Sequence, residues 1–173
     1  YKRLPFNIVW ANDINQCAAR VYKHNLKLDV CTQDVRKVKF ESIGIGRPVD
    51  MLIAGFPCQE FSLTGPRGGL KSDRGQLYKQ IRRALRFYKP KLFLAENVPG
   101  IEYPPKILSI VRRGLHGRNE PKYKTFVFRV NAANYGVPQI RQRVLIVGIR
   151  SDISTQFEPP KVQLSDSCSD TGT

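Results

Sequence analysis

The sequence has few of the residues that tie small proteins together covalently. It holds four cysteines, Cys17, Cys31, Cys58 and Cys168, and two histidines, His24 and His116. No two of the cysteines form a C-x-x-C pair, so no zinc site is expected. Their spacing suggests no disulfide framework, and a reducing interior is the default setting. No apolar run approaches the length of a membrane span. Tyr1-Lys2-Arg3-Leu4-Pro5 is followed by no apolar h-region, so it does not read as a signal peptide. There is no initiating Met; residue 1 is read as a processed end or an arbitrary cut. No internal repeat is visible. Acidic residues are also scarce, with 14 Asp and Glu against 29 Lys and Arg.

That imbalance leaves a net charge of +15 on 173 residues. Nucleic acid or another polyanion is the natural partner of so basic a chain. A solvated basic face, or an acidic subunit, is the alternative. Apolar residues make up 41% of the sequence, enough for one substantial core.

In chain order, Asn7 to Ala11 reads as a short buried strand. Ile14, Ala18, Val21 and Tyr22 then repeat at helical spacing. Asp13 followed by Gln16 reads as a helix start, which makes Asp13 a cap. Asp13 also reads as a carboxylate at a strand end, placed to accept from a ribose. Val30 to Val35 is strand-like and carries Asp34; Val38 to Ile45 reads as an irregular turn. Val49 to Ala54 reads as a buried strand. Asp73 with Gln76 opens a helix whose core face is Leu77, Ile81, Ala84, Leu85 and Tyr88. Lys79, Arg82, Arg83 and Arg86 lie off that face and give a basic surface. Lys91 to Ala95 is a strand, residues 107–115 a helix, and Thr125 to Val130 and Val144 to Ile149 two more strands. From Ser151 the pattern fades, and Gln163 to Thr173 reads as a linker or tail.

Strands alternating with helices predict a three-layer α/β domain with a mostly parallel sheet. Three polar clusters, at Asp13, Cys58 and Glu96, follow strand ends, where such sheets place their reactive side chains. Gly55 and Pro57 flank Phe56 and stiffen the turn that carries Cys58. A free Cys is also commonly a small buried hydrophobe. The glycines and cations from Thr64 to Arg74 suit close approach to a phosphate backbone.

Gly55-Phe56-Pro57-Cys58-Gln59, Glu96-Asn97-Val98 and Gln139-Ile140-Arg141-Gln142-Arg143 resemble three ordered motifs of the DNA cytosine-5 methyltransferases. Asp73 to Tyr78 resembles the segment between the first two. Trp10-Ala11-Asn12-Asp13 and Asp34-Val35 resemble the family's cofactor-contacting strand ends. The resemblance spans residues 7 to 150, and its nucleophile loop is closer to prokaryotic modification enzymes than to the transfer-RNA branch. It implies a Rossmann-like S-adenosylmethionine-dependent methyltransferase fold, with residues 1–150 as a partial catalytic domain and 151–173 as a linker or tail. It implies a cytoplasmic or nucleoid-associated protein acting on double-stranded DNA.

The resemblance also implies roles. A Cys58 thiolate would add to carbon 6 of a flipped cytosine, making carbon 5 nucleophilic. Glu96 would protonate N3 as charge builds on the ring, and Asn97 would orient Glu96 or the loop. Arg143 would bind the ring oxygen O2, and Arg141 would hold Glu96 or nearby backbone. S-adenosylmethionine would be bound by Asp13, Ile14, Asp34, Pro57 and Leu77. Gln59, Ser62 and Arg74 would contact DNA. No metal is implied. Family members open with a strand and a Phe-x-Gly-x-Gly loop, and carry a target-recognition region after the catalytic half. Neither is recognisable here, which leaves an unpaired edge beside the Cys58 strand as the expectation. A split enzyme with a second polypeptide, a piece of a longer chain, and a decayed, inactive DNA-binding or partner-binding remnant are the competing explanations.

Overall fold

The computed structural model describes residues 6–56, 77–102, 106–116 and 121–162. The chain divides into two compact units, Tyr1–Pro48 and Val49–Thr173. This boundary lies inside the partial domain expected over residues 1–150.

In the first unit the two expected strands are reduced to one parallel bridge between Asn12 and Cys31. Asp13 N–H donates to the Cys31 carbonyl at 3.1 Å, and Cys31 N–H donates to Ala11 at 2.9 Å. The segments around it are extended but unladdered. One helix, α1, runs over Gln16–Leu26. Its cap is Asn15 rather than Asp13: the Asn15 side chain accepts from Cys17 and Ala18 N–H. α1 ends at Lys27, a non-glycine residue at φ +56°. The expected core stripe on α1 is not buried. Ala19 is its one buried residue, and Ile14 and Val21 are exposed. Among the described residues this unit's own core is small, built from Ala19, Val38 and Phe40, with Trp10 edge-on to Phe40 at 6.4 Å.

Among the described residues the second unit has four strands and two α-helices. In chain order these are β1 (Met51–Gly55), α2 (Tyr78–Tyr88), β2 (Leu92–Asn97), α3 (Lys106–His116), β3 (Tyr123–Asn131) and β4 (Gln142–Arg150). The sheet order is β1-β2-β4-β3. β1 and β2 are parallel, whereas β2–β4 and β3–β4 are antiparallel. The sheet is therefore mixed, as expected, but its described pairings are mostly antiparallel rather than mostly parallel. The reason is the connection from β3 to β4, residues 132–141. It is too short for a crossover, so β4 must return beside β3 in the opposite sense.

Side chains alternate across the sheet. Phe93, Ala95, Val144 and Ile146 face the helices and join Ile81, Leu85, Val111, Leu115 and Tyr123 in one core. Full burial of each large apolar side chain contributes about 1.5–3 kcal/mol. α2 presents Tyr78, Ile81, Ala84 and Leu85 to this core, close to the face read from the sequence. It stops at Lys89 in the left-handed region, and Pro90 follows. The Phe93 ring lies against Gly148, its partner across β4, and edge-on to Tyr123 at 5.2 Å. Tyr123 Oη donates to the Pro90 carbonyl at 2.9 Å.

The opposite face of the sheet carries Glu96, Arg143, Ile53 and Leu92, and no described helix of this unit packs there. Residues 151–162, expected to begin a linker, are partly laid against it. Phe157 packs on Phe126 and Phe128, and Tyr135 Oη donates to Pro160. Among the described strands β1 is an edge, and Ile53 on it is 65% exposed.

Candidate active site at the ends of β2 and β4

β1 and β2 run in register, so Gly55 stands beside Glu96. Both belong to the face away from the helices. A Cβ on Gly55 would sit 3.4 Å from Glu96 Oε2. The glycine thus leaves open the space in front of that oxygen. The other oxygen, Oε1, pairs with Arg143 Nε at 2.6 Å. Arg143 reaches it because β4 is antiparallel to β2 with Glu96 opposite Leu145. Arg143 is two residues from Leu145 and therefore lies on the same face as a diagonal neighbour of Glu96. The pair is partly exposed, with side-chain accessibilities of 22% for Arg143 and 37% for Glu96. Arg143 Nη1 also donates to the Gln142 carbonyl at 2.7 Å.

Arg141 was the arginine expected to hold Glu96 or the nearby backbone. The arginine paired with Glu96 is Arg143 instead. β2 ends at Asn97, so nothing in that strand lies across from Arg141. Arg141 is exposed, and its main chain does the local work: its N–H donates to Asn131 Oδ1 at 3.0 Å and its carbonyl accepts from Ala132. Asn131 also accepts from Ala133 N–H. It thereby clamps both ends of the turn that delivers Arg143. The sequence reading missed this residue, although an Asn closing a strand just before a turn is a recognisable signal.

Asn97 points the other way, into the helix-side core, and is 1% exposed. Its Nδ2 donates to the Phe56 carbonyl at 3.2 Å, and its Oδ1 accepts from Val98 N–H at 2.9 Å. It therefore ties the residue after β1 to the end of β2. Of the two roles read from sequence, orienting Glu96 or orienting the loop, this geometry fits the loop. Pro57, Cys58, Gln59, Ser62 and Arg74 lie outside the described residues. Leu77 stands immediately before α2, half-buried against the core.

In the first unit Asp13 uses Oδ1 to accept from Asn15 N–H at 2.8 Å. Asn12 Nδ2 donates to the carbonyls of Cys31 and Gln33, bracing the two extended segments. Ile14 is 64% exposed beside them. Asp34 is held differently. Arg36 grips both of its oxygens with Nε at 3.1 and 3.0 Å and Nη2 at 2.6 Å, and Arg36 N–H adds a fourth bond. This grip holds the Asp34 carboxyl down at about 2, below the ordinary carboxylate range. Among the described residues no cluster of His, Cys, Asp and Glu could hold a metal ion. No described helix is long and apolar enough to cross a membrane.

A family model described as C-5 cytosine-specific DNA methylase matches residues 1–170. The chain belongs to the C-5 cytosine-specific DNA methylase family. It is 36% identical over 154 residues to the type II methyltransferase M.NgoFVII of Neisseria gonorrhoeae, covering 88% of this chain and 40% of that protein. It is 37% identical over 163 residues to M.BspRI of Lysinibacillus sphaericus, covering 91% of this chain and 36% of that protein. The chain thus spans less than half the length of these relatives. Among solved structures it resembles a protein described as a DNA modification methyltransferase encoded within an E. coli prophage. The TM-score is 0.71 at 28% identity, over 89% of this chain and 43% of that one. DNMT2 of Spodoptera frugiperda shares the fold at a TM-score of 0.65 and 23% identity, over 91% and 46% of the two chains. The fold is the α/β, Rossmann-like methyltransferase fold with a mixed sheet, and the four strands of the second unit are part of it.

Proposed function

We infer that these residues are the catalytic segment of a DNA cytosine-5 methyltransferase of the restriction-modification type, with Cys58 as the nucleophile. The observation that supports it best is the constellation at the ends of β1, β2 and β4. Glu96 Oε2 faces the space left by Gly55, three residues before Cys58, while Oε1 is held by Arg143. In this reading the Cys58 thiolate forms a bond to carbon 6 of an extruded cytosine. The ring electrons move onto N3, where the Glu96 carboxyl supplies a proton. Carbon 5 then takes the methyl group. Loss of the carbon 5 proton, with water as a candidate acceptor, lets the thiolate leave, and N3 returns its proton to the Glu96 carboxylate, which restores the ring. Arg143 spends Nε on Glu96 and Nη1 on Gln142, which leaves Nη2 for the ring oxygen O2. Asn97, through Phe56, holds the root of the Cys58 loop.

S-adenosylmethionine, when bound, supplies the methyl group as an electrophile. Asp13 and Ile14 fit it: one Asp13 oxygen is spent on Asn15, the other is left for a ribose hydroxyl, and exposed Ile14 offers an apolar surface to the adenine. Asp34 fits less simply, because Arg36 already occupies both of its oxygens. Pro57 and Leu77 are proposed as further cofactor contacts. Gln59, Ser62 and Arg74 are proposed as contacts to double-stranded DNA. The relatives M.NgoFVII and M.BspRI are more than twice as long as the span matched here, and we propose that target recognition and cover for the β1 edge come from further polypeptide, in the same chain or in a second one. The other reading is an inactive DNA-binding or partner-binding remnant.

Transfer of labelled methyl from S-adenosylmethionine to duplex DNA, with and without the complementary segments, separates the two. Cys58→Ala should abolish transfer and leave DNA binding largely intact. Continued methylation by that variant would refute the covalent route.

A further inference from the structure

α2 is a cationic helix with no acid in it. Its sequence from Tyr78 to Tyr88 carries Lys79, Arg82, Arg83 and Arg86 and not one Asp or Glu. These four residues form four like-charged pairs at spacings of three and four, each costing a few tenths of a kcal/mol in an isolated helix. They line an open groove of about 550 Å³ together with Tyr78 and Phe87. Phe87 is exposed, so the groove combines guanidinium groups with an accessible aromatic ring. The core side of α2 is occupied by Ile81, Ala84 and Leu85 against the sheet. The groove therefore belongs to the helical layer, whereas Glu96 and Arg143 lie on the opposite face of that sheet. A duplex presenting its cytosine to Glu96 lies on the other side of the sheet from these cations.

We propose that the α2 groove is a second DNA-contact surface, which grips the phosphate backbone without regard to sequence. Four of the chain's 29 Lys and Arg side chains thus stand together where they can hold a duplex independently of the cytosine pocket. The inference rests on the methyltransferase reading only in naming DNA as the polyanion.

The test uses a duplex of about 30 base pairs containing only dA and dT, so that no cytosine engages the Glu96 face. Binding is followed by fluorescence anisotropy across a salt series. Each phosphate contact contributes a slope of about −0.9 in log K against log salt. Arg82→Gln combined with Arg86→Gln should make the slope shallower by about 1.8 and weaken binding at least tenfold at 0.1 M salt. Arg82→Lys with Arg86→Lys should retain most of the slope. Lys124→Gln with Lys161→Gln, an equal loss of exposed charge elsewhere, should change it little. Circular dichroism should be unaltered, since Gln and Arg have similar helix propensity. An unchanged slope in the α2 double variant overturns the proposal, as does an equal change in the Lys124 and Lys161 pair. Methyl transfer is not part of the readout, so a failure of the catalytic reading leaves this result standing.

Discussion

Replacing Asn97 tests whether one buried amide holds the Cys58 loop root to the sheet. The side chain is almost wholly buried and spans two backbone groups, the Phe56 carbonyl at 3.2 Å and Val98 N–H at 2.9 Å. Asn97→Leu keeps the branched heavy-atom skeleton, though with bulkier methyl groups, and removes both bonds. A buried group stranded without a partner costs about 1–3 kcal/mol, and the added apolar burial returns part of that. The net loss should be about 2–4 kcal/mol. For a chain of this size each kcal/mol lowers Tm by about 2–4 °C, so the expected fall is about 4–16 °C. Asn97→Asp adds a second, signed test. At neutral pH its carboxylate would oppose the Phe56 carbonyl, and burial raises its pKa in the folded state. A raised carboxyl pKa means that the folded protein binds the extra proton first. The variant should therefore be least destabilised below about pH 4 and lose stability as pH rises through the folded value. Thermal melts monitored by circular dichroism between pH 4 and 8 measure both effects. If Asn97→Leu melts within a degree or two of the native chain, Asn97 is not the tie proposed. If Asn97→Asp tracks the native pH profile, the amide's donor role is refuted.

Gly148→Ala should cost about 1–3 kcal/mol or more, because the new Cβ would lie 1.9 Å from Phe93 Cε1 and 2.4 Å from Cζ. Adding Phe93→Leu should return part of that loss in urea denaturation; strictly additive effects would show that the ring is not the obstacle. Burial pushes the Tyr123 hydroxyl up to about 12, from 10 in the open chain. The folded state then keeps a proton that the unfolded state releases. Stability should fall by on the order of 1 kcal/mol per pH unit between pH 10 and 12, and Tyr123→Phe should flatten that part of the profile.

The sequence by itself determined much of the local chemistry. The apolar spacing on α2 named Ile81, Ala84 and Leu85 as a core face, because a 3.6-residue period leaves little choice when one stripe must be buried. The Glu96-Asn97 pair and the QIRQR segment were singled out by their resemblance to family motifs, and the sheet brings Glu96 and Arg143 from them into one ion pair. Less legible were the parts that depend on distant strands. The helix cap went to Asn15 rather than Asp13, a matter of which side chain the incoming chain aims at the open N–H groups. The apolar stripe on α1 stayed exposed, because periodicity shows which residues could be buried and not what is there to bury them. The choice of Arg143 over Arg141 required the antiparallel register of β4 on β2, which no local pattern encodes. The same register, with β1 in parallel beside it, set Glu96 next to Gly55 and sent Asn97 into the core. Residue types and spacing supplied the reactive groups. Only strand pairing over long sequence separations decided which of them share a face, because a side chain's direction in a sheet is set by its place in the ladder.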